Sequence, residues 1–190
     1  HQCFRRQRQM CIRDSLKHAQ KDAWCYIVHR LDKDTSGVMV FAKDATAKRD
    51  LQQQFHDRDV HRMYCARVEG KPNPPFGTVR TWLMEDKHLN VKAVNRQHPQ
   101  GKEAISHYHV VESTEESSLV EVSIETGRRH QIRMAMQYLG TPVVGDERHG
   151  ATLNPHQRIM LHASSLEFLH PENDNPVRFE APLPRTFVDV

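Results

Sequence analysis

His29-Arg30-Leu31-Asp32-Lys33-Asp34-Thr35-Ser36-Gly37 places two carboxylates, two cations and a hydroxyl pair between two apolar runs. Polar groups at this density are poor core material. Tyr26-Ile27-Val28 before them and Val38-Met39-Val40-Phe41 after them read as short buried strands, which makes the stretch a polar connection between rigid flanks. Sites are commonly built on such connections. A plain turn satisfies the same residues, with Asp32 or Asp34 bonding nearby amides and Gly37 supplying a left-handed position.

Working outward, 45–58 carries Ala47, Leu51 and Phe55 at four-residue intervals, with Lys48, Arg49, Gln52 and Gln53 on the other side. This predicts a scaffold helix capped by Asp44. A second, shorter helix is expected after Ser15. Residues 60–68 alternate as a strand, with His61, Met63, Cys65 and Arg67 on one face and Arg62, Tyr64, Ala66 and Val68 on the other. Further strand patterns at 78–84, 90–94, 104–111 and 119–124 follow one another without intervening helices, which points to an antiparallel sheet. A helix is expected over 126–139, capped by Thr126, with Ile132, Ala135, Met136 and Leu139 as its apolar stripe and Gly140 and Pro142 as its stop. Its first turn gathers Arg128, Arg129, His130 and Arg133 where the helix dipole is already positive, so an anion, phosphate or carboxylate, belongs nearby. The remaining strands are expected at 143–144, 158–168 and 177–180.

Composition sets the outer limits. A chain of 190 residues with 37% apolar and 27% charged residues fits one globular domain, and no apolar run approaches the roughly 20 residues of a membrane span. The net charge of +3 leaves room for a basic face and a nucleic-acid partner. The four cysteines lack any C-x-x-C spacing and read as thiols of a reducing compartment; with no secretory signal in view, the expected location is cytoplasmic. His107 and His109 share a strand face, but 14 histidines make such pairs a matter of chance, and no third ligand of matching placement supports a metal site.

Four stretches, in order, resemble the RluA-type pseudouridine synthases: His-Arg-Leu-Asp with Thr-Ser-Gly at 29–37; Arg62-Met63-Tyr64-Cys65-Ala66-Arg67-Val68-Glu69-Gly70; Thr126-Gly127-Arg128-Arg129-His130-Gln131-Ile132-Arg133; and Leu161-His162-Ala163 with His170-Pro171 and Ala181-Pro182-Leu183-Pro184. The resemblance runs from about Leu16 to Pro184. It implies an α+β fold on a curved, mixed but largely antiparallel sheet with a few flanking helices. It also implies isomerisation of uridine to pseudouridine within RNA, ribosomal RNA first and transfer RNA second.

Under this resemblance Asp32 is the nucleophile, Tyr64 stacks on the target base and Arg133 pairs with Asp32. Arg30, Arg62, Arg128, Arg129 and His130 contact RNA, and Leu161 and His162 line or support the pocket. Burial opposes the charge that Asp32 needs for attack, and the pairing with Arg133 favours it. Neither metal nor cofactor is implied, since isomerisation changes no oxidation state. A monomer is expected.

Residues 1–14 read as a non-native or disordered leader, with a basic RNA-binding arm as the functional alternative, and 15–190 as a catalytic domain lacking the N-terminal strands usual in the family. That reading keeps a rival open, a non-catalytic RNA-binding fragment. The histidine count alone suggests a second rival, a metal-dependent hydrolase.

Overall fold

A computed structural model describes residues 25–187; the expected leader and the helix after Ser15 lie outside the described residues. The framework is an eight-stranded sheet. Its main path runs β10 (Pro176–Glu180), β9 (Leu161–Leu169), β4 (His61–Glu69), β8 (Ser117–Ile124), β7 (Lys102–Ser113), β5 (Phe76–Glu85) and β6 (Val91–Val94), antiparallel throughout. The eighth strand, β2 (Ser36–Gly37), joins β9 in parallel, Ser36 beside His162 and Gly37 beside Ala163. Outside the sheet, β1 (Tyr26–Ile27) pairs with β3 (Phe41–Ala42).

The flanks of the opening stretch therefore differ from expectation. The second flank is strand only at its end, because the amides ahead of Phe41 are engaged elsewhere: Val38 N–H donates to the Ala163 carbonyl and Val40 N–H to His29 Nε2. What the sequence offers as a turn at Ser36–Gly37 is a strand of the main sheet.

Helix α1 (Ala45–Asp57) is capped by Asp44, whose Oδ1 accepts from Thr46 N–H and Ala47 N–H at 2.8 Å. It stops at Arg58, which adopts a left-handed conformation. Leu51 enters a core cluster with Val28, Ala42, Val60, Leu166 and Phe168. Helix α2 (Gln131–Tyr138) lays Ile132, Ala135 and Met136 on the larger cluster, built from Ala66, Val68, Val120, Val122, Val144, Met160 and Phe187.

Helix α2 begins five residues later than Thr126, where the spacing placed its cap. The Thr126 hydroxyl donates to Gln131 Oε1 (2.7 Å) and accepts from Ile105 N–H (3.0 Å), so it staples a loop to β7 instead of starting a helix. Arg128 and Arg129 thereby leave the helix altogether. The 143–144 strand reduces to a single bridge between Val143 and Val68, and a short 3-10 turn at Glu147–His149 interrupts the loop after it.

Alternation in β4 holds for Arg62, Ala66 and Val68, all buried, but the opposite face is not uniformly wet. Arg67 is fully buried, with Nε and Nη2 on the Phe187 carbonyl and Nη2 on Glu112 at 2.9 Å. The carbonyl that accepts from Arg67 belongs to a 3-10 turn at Arg185–Phe187.

Candidate active site

The loop bearing Asp32 is tied at both ends. Thr35 N–H donates to the Asp32 carbonyl (3.1 Å), closing a turn around Lys33 and Asp34. Beyond it, Ser36 Oγ accepts from Arg158 Nη2 and meets His162 Nδ1, both at 2.8 Å. His162 Nε2 lies 3.1 Å from the Ala181 carbonyl, which can only accept, so the proton sits on Nε2. Burial lowers the His162 pKa and keeps the ring neutral; Nδ1 is then the acceptor and Ser36 the donor. Gly37 has φ +117°, and a Cβ there would stand 2.1 Å from the Ala163 carbonyl oxygen. Only glycine allows this approach to β9.

Asp32 opens onto a cavity of about 580 Å³ lined by residues from every part of the chain that the sequence singled out, among them Arg30, Asp32, Tyr64, Arg128, His130, Arg133 and Leu161. Arg62, from β4, lines it too. Arg30 is exposed, whereas Arg62, His130 and Arg133 are buried. His162, next to Leu161 on the same strand, points to the other face and supports Ser36 without lining the cavity. Arg129 is also outside it, paired with Glu85 at 2.8 Å.

Within the cavity Arg133 Nη1 lies 3.5 Å from Asp32 Oδ2. Its stronger partner was not anticipated: Asp146 takes Nε at 2.6 Å and Nη2 at 2.7 Å in a bidentate pair, with His149 Nδ1 at 2.9 Å from the same carboxylate. Burial raises the Asp146 pKa, but the bonds from Arg133 and His149 outweigh it and bring the carboxyl down to about 2. Burial likewise opposes the Arg133 charge, and Asp146 and Asp32 more than restore it. One guanidinium thus serves two carboxylates, gripping Asp146 and leaving a single N–H edge toward Asp32. The anion inferred from the clustered cations is, for Arg133, this pair of carboxylates.

Tyr64 sits at the cavity wall, where burial pushes its phenol up to about 12, so it stays protonated at neutral pH. His29 accepts from Val40 N–H and stacks on Phe55 at 4.7 Å; burial, aided by the nearby Arg62 charge, lowers its pKa to about 4. Burial and the surrounding cations lower His130 to about 3. Phe55, His56 and Arg58 at the end of α1 also line the cavity, so the helix read as scaffold contributes a wall. Phe55 was legible only as a core position, and nothing in the spacing of His56, Arg58 or Asp146 tied them to Asp32. His107 is taken by Thr78 and Glu125, both at 2.8 Å.

With an aspartate, a half-buried tyrosine and a shared arginine meeting at one cavity, comparison with known proteins decides the family. The sequence profile described as RNA pseudouridylate synthase matches residues 5–138. The chain belongs to the RNA pseudouridylate synthase family. An RNA pseudouridine synthase of Bacillus subtilis, YlyB, described as uncharacterized, is 40% identical over 170 residues, covering 86% of this chain and 54% of that protein. Ribosomal large subunit pseudouridine synthase D of Xanthomonas campestris is 40% identical over 172 residues, covering 83% of this chain and 51% of its own. Synthase C of Vibrio cholerae is 35% identical over 164 residues, with coverages of 83% and 51%. The chain spans about half the length of the curated relatives it matches. Among solved structures, human RNA pseudouridylate synthase domain containing 4 superposes with a TM-score of 0.76 at 27% identity, covering 91% of this chain and 77% of that one. The domain containing 1 protein gives 0.75 at 25% identity, covering 88% and 71%. The pseudouridylate synthase fold expected from the motifs is the fold observed.

Proposed function

We propose that this chain isomerises specific uridines to pseudouridine in structured RNA, with ribosomal RNA the first substrate and transfer RNA the second, as a cytoplasmic monomer without metal or cofactor. The observation that carries the reading is Asp32 at the cavity wall, 3.5 Å from an Arg133 that is itself fixed by Asp146. The names of the synthase C and D relatives support ribosomal RNA.

In this account the target nucleotide leaves its stack and enters the cavity, at a cost of a few kcal/mol that is smallest in loops. Tyr64 offers a flat ring for the base. The Asp32 carboxylate attacks the uracil ring or the sugar carbon as the C1′–N1 bond breaks. The freed base turns, C1′–C5 forms, the bond to Asp32 breaks and returns the carboxylate, and carbon 5 loses its proton while N1 gains one. Arg133 provides a fixed positive charge beside the carboxylate before and after the step. Arg30, at the exposed mouth, fills the space left by the flipped base or holds a flanking phosphate.

The test is release of tritium from carbon 5 of uridine in ribosomal RNA. Wild-type chain should release it and Asp32→Asn should not; equal release by both would refute the assignment of the nucleophile. A non-catalytic RNA binder would release none with either chain while keeping its affinity.

A further inference from the structure

Two buried arginines face the cavity, and their charges are met very differently. Arg133 is satisfied by Asp146 and Asp32. Arg62 is 8% exposed, yet no carboxylate pairs with it among the described residues. Its Nη2 donates to the Glu125 and Ile124 carbonyls at 3.0 and 3.4 Å, and its guanidinium lies 5.6 Å from the centre of the Phe55 ring. The Glu125 carboxylate is engaged by His107 and by Arg58. Burial accordingly lowers the Arg62 pKa, the mark of a charge taken from water without full compensation.

Gly127 faces the remaining amino group: a Cβ at this position would stand 2.8 Å from Arg62 Nη1. The missing side chain leaves Nη1 open to the cavity that both residues line. A uracil carbonyl there would supply a hydrogen bond but no charge, whereas a phosphodiester supplies both in the geometry a guanidinium favours.

Building on the isomerase reading, we propose that Arg62 and Gly127 form a seat for one phosphodiester of the bound strand, next to the nucleotide in the cavity. The seat is distinct from the exposed cations at the rim because its cation is already desolvated and held in place, so little is lost in ordering it.

Mononucleotide binding to the full chain, followed by NMR, tests this without turnover. Uridine, uridine 5′-monophosphate, uridine 3′-monophosphate and inorganic phosphate serve as probes. At least one monophosphate should bind about tenfold tighter than uridine, and which one identifies the side of the nucleotide that is held. Arg62→Gln should erase the preference. Gly127→Ala keeps the charge and meets only the tip of the Arg62 side chain and no backbone atom, so it should fold as wild type and, by displacing Nη1, lose most of the preference. Equal binding of uridine and both monophosphates, or a preference that survives Arg62→Gln, would overturn the seat. Either outcome leaves the isomerase reading to be judged by tritium release, and a monophosphate preference without tritium release would sustain the seat while removing the reaction.

Discussion

Asp146 determines what Arg133 can do. Its carboxylate is 1% exposed and takes two of the guanidinium's donors, so Arg133 reaches Asp32 through Nη1 alone. Removing one partner of a buried ion pair leaves the other uncompensated, at a cost of about 3–5 kcal/mol. Asp146→Asn should therefore lower stability by that order in urea unfolding, and slow tritium release more than it weakens RNA binding; unchanged stability would show that the pair is dispensable. Acid should act through the same neighbourhood. Histidines of the unfolded chain take up protons near pH 6.5, whereas folded His29 and His130 wait until about 4 and about 3. Between those limits the unfolded state holds more protons, so stability should fall as pH drops from about 6.5 toward 3. Asp146, held at about 2, should add to the loss below the ordinary aspartate range near 3.9. Urea unfolding at neutral pH and at about pH 4 checks this, and equal stabilities would contradict it.

At the level of elements, the Asp32 loop is held by β2, two residues docked in parallel on β9. Gly37 makes that docking possible. Gly37→Ala would drive a methyl into the Ala163 backbone and should displace the loop, and a displacement near 1 Å at a catalytic group costs on the order of 100-fold in rate. Tritium release at the wild-type rate would show that the docking does not position Asp32. These elements were unequally legible. Alternation and four-residue spacing gave β4, β5, β7, β8 and α1 nearly at their observed bounds, because burial on one face leaves a periodic trace. Residues 126–130 misled, since Thr126 is a good cap by type and only its bonds to Gln131 and to Ile105 of β7 decide otherwise. β2 could not be read at all: two residues have no period, and their strand character comes from a partner 126 positions away.

Across the whole molecule, the cavity exists because the sheet brings 29–35, the end of α1, Arg62 and Tyr64 of β4, the 124–133 segment and Leu161 of β9 to one place. Most of these stretches are legible in the sequence as motifs, since the cavity gathers the stretches whose polar residues fit badly in a core. Asp146 is not, because its contact with Arg133 joins a loop to a helix and follows no spacing rule. The central claim is that these parts make an isomerase with Asp32 as its nucleophile. The most direct test is pseudouridine mapping of ribosomal and transfer RNA from cells lacking their own synthases, complemented with this chain or with Asp32→Asn. The account predicts at least one uridine converted with the wild-type chain and left unmodified with the variant, in ribosomal RNA first; no converted site with either chain, or the same sites with both, would contradict it.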